Sequence, residues 1–180
     1  MAVASPSSSS GGRDPFALLG LAPTFDVDLA ALERAFFERS KQLHPDRAGG
    51  ASAAERVAVL SQSRALNDAY QVLRREVSRA EYLLAQAGIL IGDNERIDPA
   101  LVMDLLEERE VLAEARTKGE LREVERLQAA MRGRRTAALA RVRELFARGR
   151  EAYPEIKQQL ILLRYVDRYL EECDSALDED

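Results

Sequence analysis

Apolar positions recur along this chain at intervals of three and four, and no segment alternates apolar with polar residues as a half-buried strand does. The pattern predicts an all-α protein. In "DPFALLG", Asp14 is placed as N-cap, Pro15 as first helical residue and Gly20 as terminator, giving a helix of little more than one turn. Leu29, Leu32, Phe36 and Leu43 share one face of a second helix, which Asp26 or Asp28 caps. Pro45 ends that helix by pushing His44 out of the α region. Ser52 and Glu55 have capping-box spacing, and Val59, Ser63, Leu66, Tyr70 and Leu73 mark the buried stripe of the helix they open. "RAEYLLAQAG" adds a further helical stretch, stopped by Gly88.

These signals divide the chain into a Ser/Gly-rich disordered tail over 1–12, a first unit over 13–87, a linker over 88–98 and a second unit over 99–180. The first unit is expected to be an antiparallel helical hairpin around the loop "HPDRAGGA". In the second, Asp98-Pro99 repeats the cap-and-proline pairing. Helices over 99–118, 120–148 and 155–173, broken at Gly119 and around Gly149 to Pro154, read as a three-helix bundle whose acidic end frays.

Composition narrows the classes. A net charge of -5 and a pI near 5.2 argue against binding nucleic acid or anionic membrane over most of the surface. Cys173 is the single cysteine, so neither an internal disulfide nor a CxxC metal site is available. No apolar run approaches the roughly 20 residues that span a bilayer, and "MAVASPSSSSGG" has neither a basic nor an apolar leader region. A protein of the aqueous phase is expected, with no membrane association.

Candidate chemistry is sparse. His44, the one histidine, stands two residues from Asp46, but no nearby nucleophile or orienting group completes a catalytic set. One imidazole and one carboxylate also fall short of a zinc site. Local chemistry leaves His44-Pro45-Asp46 as either a plain turn or an exposed recognition element. Seven arginines between Arg132 and Arg150 face one acid, Glu144, and suggest either a nucleic-acid surface or pairing with the acid-rich stretch 104–125, the expected antiparallel neighbour. Leu101, Val102, Met103, Leu105 and Leu106 sweep about 200° of their helix, so this helix is either buried on two sides or carries surplus apolar surface. Tyr165 raises the same question beside the core-facing set Ile156, Leu160, Leu163, Val166 and Leu170.

Taken together, a helix with exposed basic residues, a loop opening on His44-Pro45-Asp46 and a helix carrying "LNDAYQVLRR" resemble the J-domain of DnaJ-type co-chaperones over residues 14 to about 76. "VSRAEYLLAQAG" and "LVMDLLEEREVLAEA" extend the likeness to the HscB family, J-type co-chaperones of iron-sulfur cluster assembly. The resemblance implies that His44, Pro45 and Asp46 contact a DnaK-class, HscA-like chaperone and trigger its ATP hydrolysis, with Arg34, Lys41 and Arg47 as cationic companions. Glu33, Phe37 and Glu38 stand where the family's helix is usually basic. It further implies that Val102, Met103, Leu106 and Tyr165 form the apolar patch that receives an IscU-like scaffold. On this reading the protein is not itself an enzyme, holds no metal or cofactor, and any cluster travels on the scaffold. A bacterial cytoplasm is expected, or a mitochondrial matrix for a eukaryotic source. The competing readings are a J-protein with a different client and a helical adaptor that binds RNA through 132–150.

Overall fold

The computed structural model describes residues 14–43, 52–92, 95 and 99–178, with side chains from Met103 onward in the last stretch. The described residues form α1 (Pro15–Leu19), α2 (Leu29–Gln42), α3 (Ala53–Arg74), α4 (Glu76–Gln86), α5 (Pro99–Lys118), α6 (Leu121–Arg148), a 3₁₀ turn (Arg150–Ala152) and α7 (Tyr153–Asp178), with no strand among them. The all-α expectation holds. The chain divides into two compact units between Arg75 and Glu76.

In the first unit the caps are those the sequence spells out. Asp14 accepts from the Phe16 N–H at 3.0 Å, and Gly20, at φ 68°, closes α1 by donating to Ala17 O while Leu21 donates to Phe16 O. Asp28 rather than Asp26 caps α2, accepting from the Ala30 and Ala31 amides at 2.9 and 3.2 Å. Ser52 and Glu55 bond reciprocally in a capping box at the start of α3. Phe16, Leu19, Phe25, Leu32, Leu66, Ala69 and Leu73 form the buried core.

Phe36 stacks on Tyr70 with centroids 4.3 Å apart, which fixes the antiparallel register of α2 against α3. That register explains one departure from the expected stripe. Leu29 falls level with chain beyond the last residue of α3 and is exposed. At the other end α3 overruns α2, so Val57 and Leu60 are exposed as well.

The second unit is built on the antiparallel pair α6 and α7. Along α6, Val124, Gln128, Met131, Ala138, Val142 and Leu145 are buried at alternating steps of four and three, with half-buried Arg135 completing the row. Two further helices cover this pair. α5 closes a core of Leu105, Leu112 and Ala115 against Val124, Leu127, Met131, Ile161, Val166, Tyr169 and Cys173. α4 packs on α7 and contributes buried Ala80 and Leu84. The 13–87 expectation placed α4 with the first unit, whereas the compact division gives it to the second. The extended backbone of Arg75 supplies the break.

The C-terminus also departs from expectation. α7 starts at Tyr153, because Pro154 is tolerated in a first turn, and continues to Asp178 instead of ending at 173. Cys173 and Ala176 lie on its core face and hold the acidic end in the helix. Burial raises the Cys173 thiol to about 11 and the Tyr169 phenol to about 12, and the Tyr169 hydroxyl donates to Glu108 O at 3.1 Å.

The membership of α4 has a measurable consequence. A fragment of residues 76–180 is expected to melt cooperatively and several degrees above a fragment of 89–180, because the shorter piece loses the burial of Ala80 and Leu84 and the Arg164–Glu81 and Arg143–Glu76 pairs. Equal melting points by calorimetry would place α4 outside the bundle.

Candidate functional site

The sequence proposes two contact regions, one on each unit. On the first, His44, Pro45, Asp46 and Arg47 lie outside the described residues, between the end of α2 and Ser52. Their companions Arg34 and Lys41 are seven residues apart, hence close together on one exposed face of α2. Each is met by a carboxylate of its own unit. Arg34 comes within 4.0 Å of Asp28, and Lys41 bonds Glu38 at 3.1 Å while its ammonium sits 4.2 Å over the Phe37 ring. These pairs are exposed and weak, but they reduce the positive field that the face presents.

On the second unit, Val102 lies in α5 and its side chain is outside the described residues. Met103 is 57% exposed, Leu106 49% and Tyr165 40%. At 100° per residue, Met103 and Leu106 project away from the side of α5 that carries buried Leu105, Leu112 and Ala115. α5 therefore has apolar residues on two sides and buries one of them. Exposed Glu107 and Glu110 follow Met103 along the outward side.

Tyr165 belongs with this face by register. α5 and α7 run parallel, and two bonds give their alignment: Tyr169 with Glu108 O, 61 residues apart, and Arg109 with Glu172, 63 apart. The same offset sets Tyr165 level with residues 102–104. Its neighbours one turn away, Ile161 and Tyr169, are buried, so Tyr165 breaks an otherwise covered row. It lines a surface groove with Gly92, Glu95, Arg164 and Arg168.

The arginine stretch resolves into ion pairs. Arg132 reaches Asp174, Arg134 Glu108, Arg135 Asp167, Arg141 both Glu144 and Glu155, Arg143 Glu76 and Arg148 Glu155, all within 4.0 Å. Only Glu108 among these acids lies in 104–125. Most of the others are on α7, because α6 packs chiefly against α7 and not α5. Among the described residues there is no cluster of three or more His, Cys, Asp or Glu able to hold a metal, and no helix is long and apolar enough to cross a membrane.

Sequence reasoning did not find a set of bonds beside Tyr165. Arg164 donates to Glu81 Oε1 at 2.9 and 3.2 Å and to Gly92 O at 3.0 Å, and Lys157 pairs with Glu95 at 2.7 Å. Hydrogen bonds from Lys157 and from the Gly92 N–H hold the Glu95 carboxyl below its ordinary range. The available signal was Glu81 within "RAEYLL".

A compact helical unit led by a capped helical hairpin and followed by an all-helical bundle defines a J-domain co-chaperone with a dedicated C-terminal domain. Residues 14–82 match the DnaJ domain, and residues 97–174 match the HSCB C-terminal oligomerisation domain. The chain is 34% identical to the co-chaperone protein HscB homolog of Ralstonia nicotianae, over 95% of this chain and 99% of that one. It is 45% identical to the homolog of Bordetella petrii over 105 residues, which are 57% of this chain and 62% of that one. The solved structure of chaperone HscB from Vibrio cholerae superposes with a TM-score of 0.80 at 28% identity, covering 93% of this chain and 99% of that one. The chain belongs to the HscB co-chaperone family.

The contrast between Tyr165 and its neighbour Leu163, which is fully buried, predicts different costs for truncation. Leu163→Ala is expected to destabilise the second unit by about 2–5 kcal/mol, and Tyr165→Ala by about 1 kcal/mol or less. Urea titrations followed by circular dichroism measure both.

Proposed function

We propose that this chain stimulates the ATPase of a DnaK-class, HscA-like chaperone through His44, Pro45 and Asp46, and presents to it an IscU-like iron-sulfur scaffold bound on Val102, Met103, Leu106 and Tyr165. The observation that carries the reading is the exposure of Met103, Leu106 and Tyr165 at one level of a bundle that matches the HscB C-terminal domain. Large apolar side chains left in water at a common level are the makings of a binding hot spot. Exposed Glu107 and Glu110 along the same side suit a partner whose apolar contact is edged with basic residues.

The first region supplies the trigger. A proline-stiffened His-Pro-Asp segment offers one imidazole and one carboxylate at little ordering cost. Arg34 and Lys41, on the helix leading into it, add a cationic approach, and Arg47 follows directly after it. The protein makes no bond in the reaction, since hydrolysis belongs to the partner chaperone and cluster chemistry to the scaffold. The bacterial relatives support a cytoplasmic setting.

His44→Gln and Asp46→Asn are each expected to abolish stimulation in single-turnover ATP hydrolysis while leaving the far-ultraviolet spectrum unchanged. Wild-type stimulation by either variant would remove the trigger from the loop. The triple variant Met103→Ala, Leu106→Ala, Tyr165→Ala is expected to weaken scaffold binding on the order of a hundredfold in a calorimetric titration. It should keep stimulation in the absence of scaffold. An unchanged scaffold affinity would move the binding site elsewhere.

A further inference from the structure

The side chains that carry the scaffold face sit at the end of α5 with the least internal support. The buried row of α5 begins at Leu105, and the described residues before it, Met103 and Asp104, are exposed. The opening turn of a helix also lacks intrahelical acceptors for its first four amides. Its position therefore depends on the chain that leads into it.

That chain is bound along α7. Ile91 packs against the bundle core, and the Arg164 guanidinium takes the carbonyls of both Ile91 and Gly92, at 3.5 and 3.0 Å, while also pairing with Glu81 on α4. Two turns back along α7, Lys157 holds Glu95 at 2.7 Å, and Glu95 accepts from the Gly92 N–H at 3.2 Å. The Lys157–Glu95 pair is 62 residues apart, between the offsets of 61 and 63 that align α5 with α7. Residues 91–95 thus lie in line with α5 along the same helix, ahead of its first turn.

We propose that Arg164 is a positioning residue for scaffold binding: it straps residues 91–95 onto α7 and so holds the opening turns of α5, with Met103 and Leu106, level with Tyr165. The inference rests on the scaffold-binding reading of that face. Arg164 suits the task because a guanidinium has five donors in a fixed fork and serves a carboxylate and two carbonyls at once. A lysine in its place keeps the charge opposite Glu81 but loses the fork. Arg164 also precedes Tyr165 directly and lines the same groove, so strap and contact residue share one wall.

The test uses the full chain with Arg164→Gln, Arg164→Lys and Glu95→Gln. Hydrogen exchange read by mass spectrometry is expected to accelerate about tenfold or more at the amides of 103–107 in Arg164→Gln, and less in the other two. Amides of 160–173 should keep wild-type protection, and the melting point should change little. Scaffold affinity should fall about tenfold in Arg164→Gln, with intermediate losses for Arg164→Lys and Glu95→Gln. Exchange that stays at the wild-type rate over 103–107, or that rises equally along α7, would overturn the proposal. Weakened scaffold binding with unchanged exchange at 103–107 would overturn it too, since Arg164 would then be a direct contact. The Met103, Leu106, Tyr165 triple variant run alongside separates the two failures: if it binds scaffold normally, the reading of the face is wrong, whereas the exchange result judges the strap by itself.

Discussion

The second unit depends on the register of one antiparallel helix pair. Gln128 donates to Asp174 at 2.6 Å, and Arg135 to Asp167 at 2.7 Å. A step of seven residues along α6 is answered by seven residues back along α7, so both polar pairs fit at one alignment only. The apolar rows between them, Met131 and Val142 on one side and Leu160 and Leu163 on the other, are tolerant by comparison, because aliphatic side chains pack in several registers. A slide of one turn would leave two half-buried carboxylates and a guanidinium without their partners, a cost that grows as water is excluded. Everything else in the unit is laid on this pair, α4 and α5 included.

The same interactions account for the concentration of arginine on α6. Exposed and half-exposed ion pairs contribute about 0–1 kcal/mol each, so six of them are not the source of the bundle's stability. Their effect is on alignment and field. Carboxylates on α4, α5 and α7 neutralise a row of like charges that would otherwise repel along one helix, and the polyanion-binding potential suggested by the bare sequence is spent internally. The surplus of acid in the chain then falls elsewhere, including Glu107 and Glu110 on the outward side of α5.

How far the chain discloses its structure follows from the range of the interactions involved. Caps are local: Asp14, Asp28, Ser52 with Glu55, Gly20 and Gly88 act within a few residues of themselves, and they mark helix ends where the structure has them. Packing partners are not local. Nothing near "RAEYLL" states that Ala80 and Leu84 pack in the bundle, and an acidic tail reads as solvated until Cys173 and Ala176 are seen to share the core face with Tyr169. Leu29 shows the converse, since its periodicity was sound but the register of α2 on α3 leaves no helix opposite it. The exposure of Met103, Leu106 and Tyr165 was half legible. The excess of apolar residues on α5 could be counted, but which side faced water depended on α7. The bonds of Arg164 were invisible because each of its acceptors lies more than seventy residues away.

That dependence explains how an apolar surface can stay outward on a helix of a water-soluble fold. A helix with a single apolar stripe chooses its orientation by burial alone, but α5 has apolar residues on both sides, and burial discriminates between them poorly. Polar contacts make the choice. The Tyr169 hydroxyl takes Glu108 O, Arg134 takes the Glu108 side chain at 3.0 Å, and Arg109 grips both carboxylate oxygens of Glu172. Rotating α5 to hide Met103 and Leu106 would break all three while exposing Leu105 and Leu112. Two of these bonds run to α7 and one to α6, so the helix is fixed against both members of the pair whose own register Gln128 and Arg135 determine. The outward face of α5 is thus a consequence of polar bonds made on its inward side, and substitutions at Glu108 or Tyr169 act on the scaffold face without touching it.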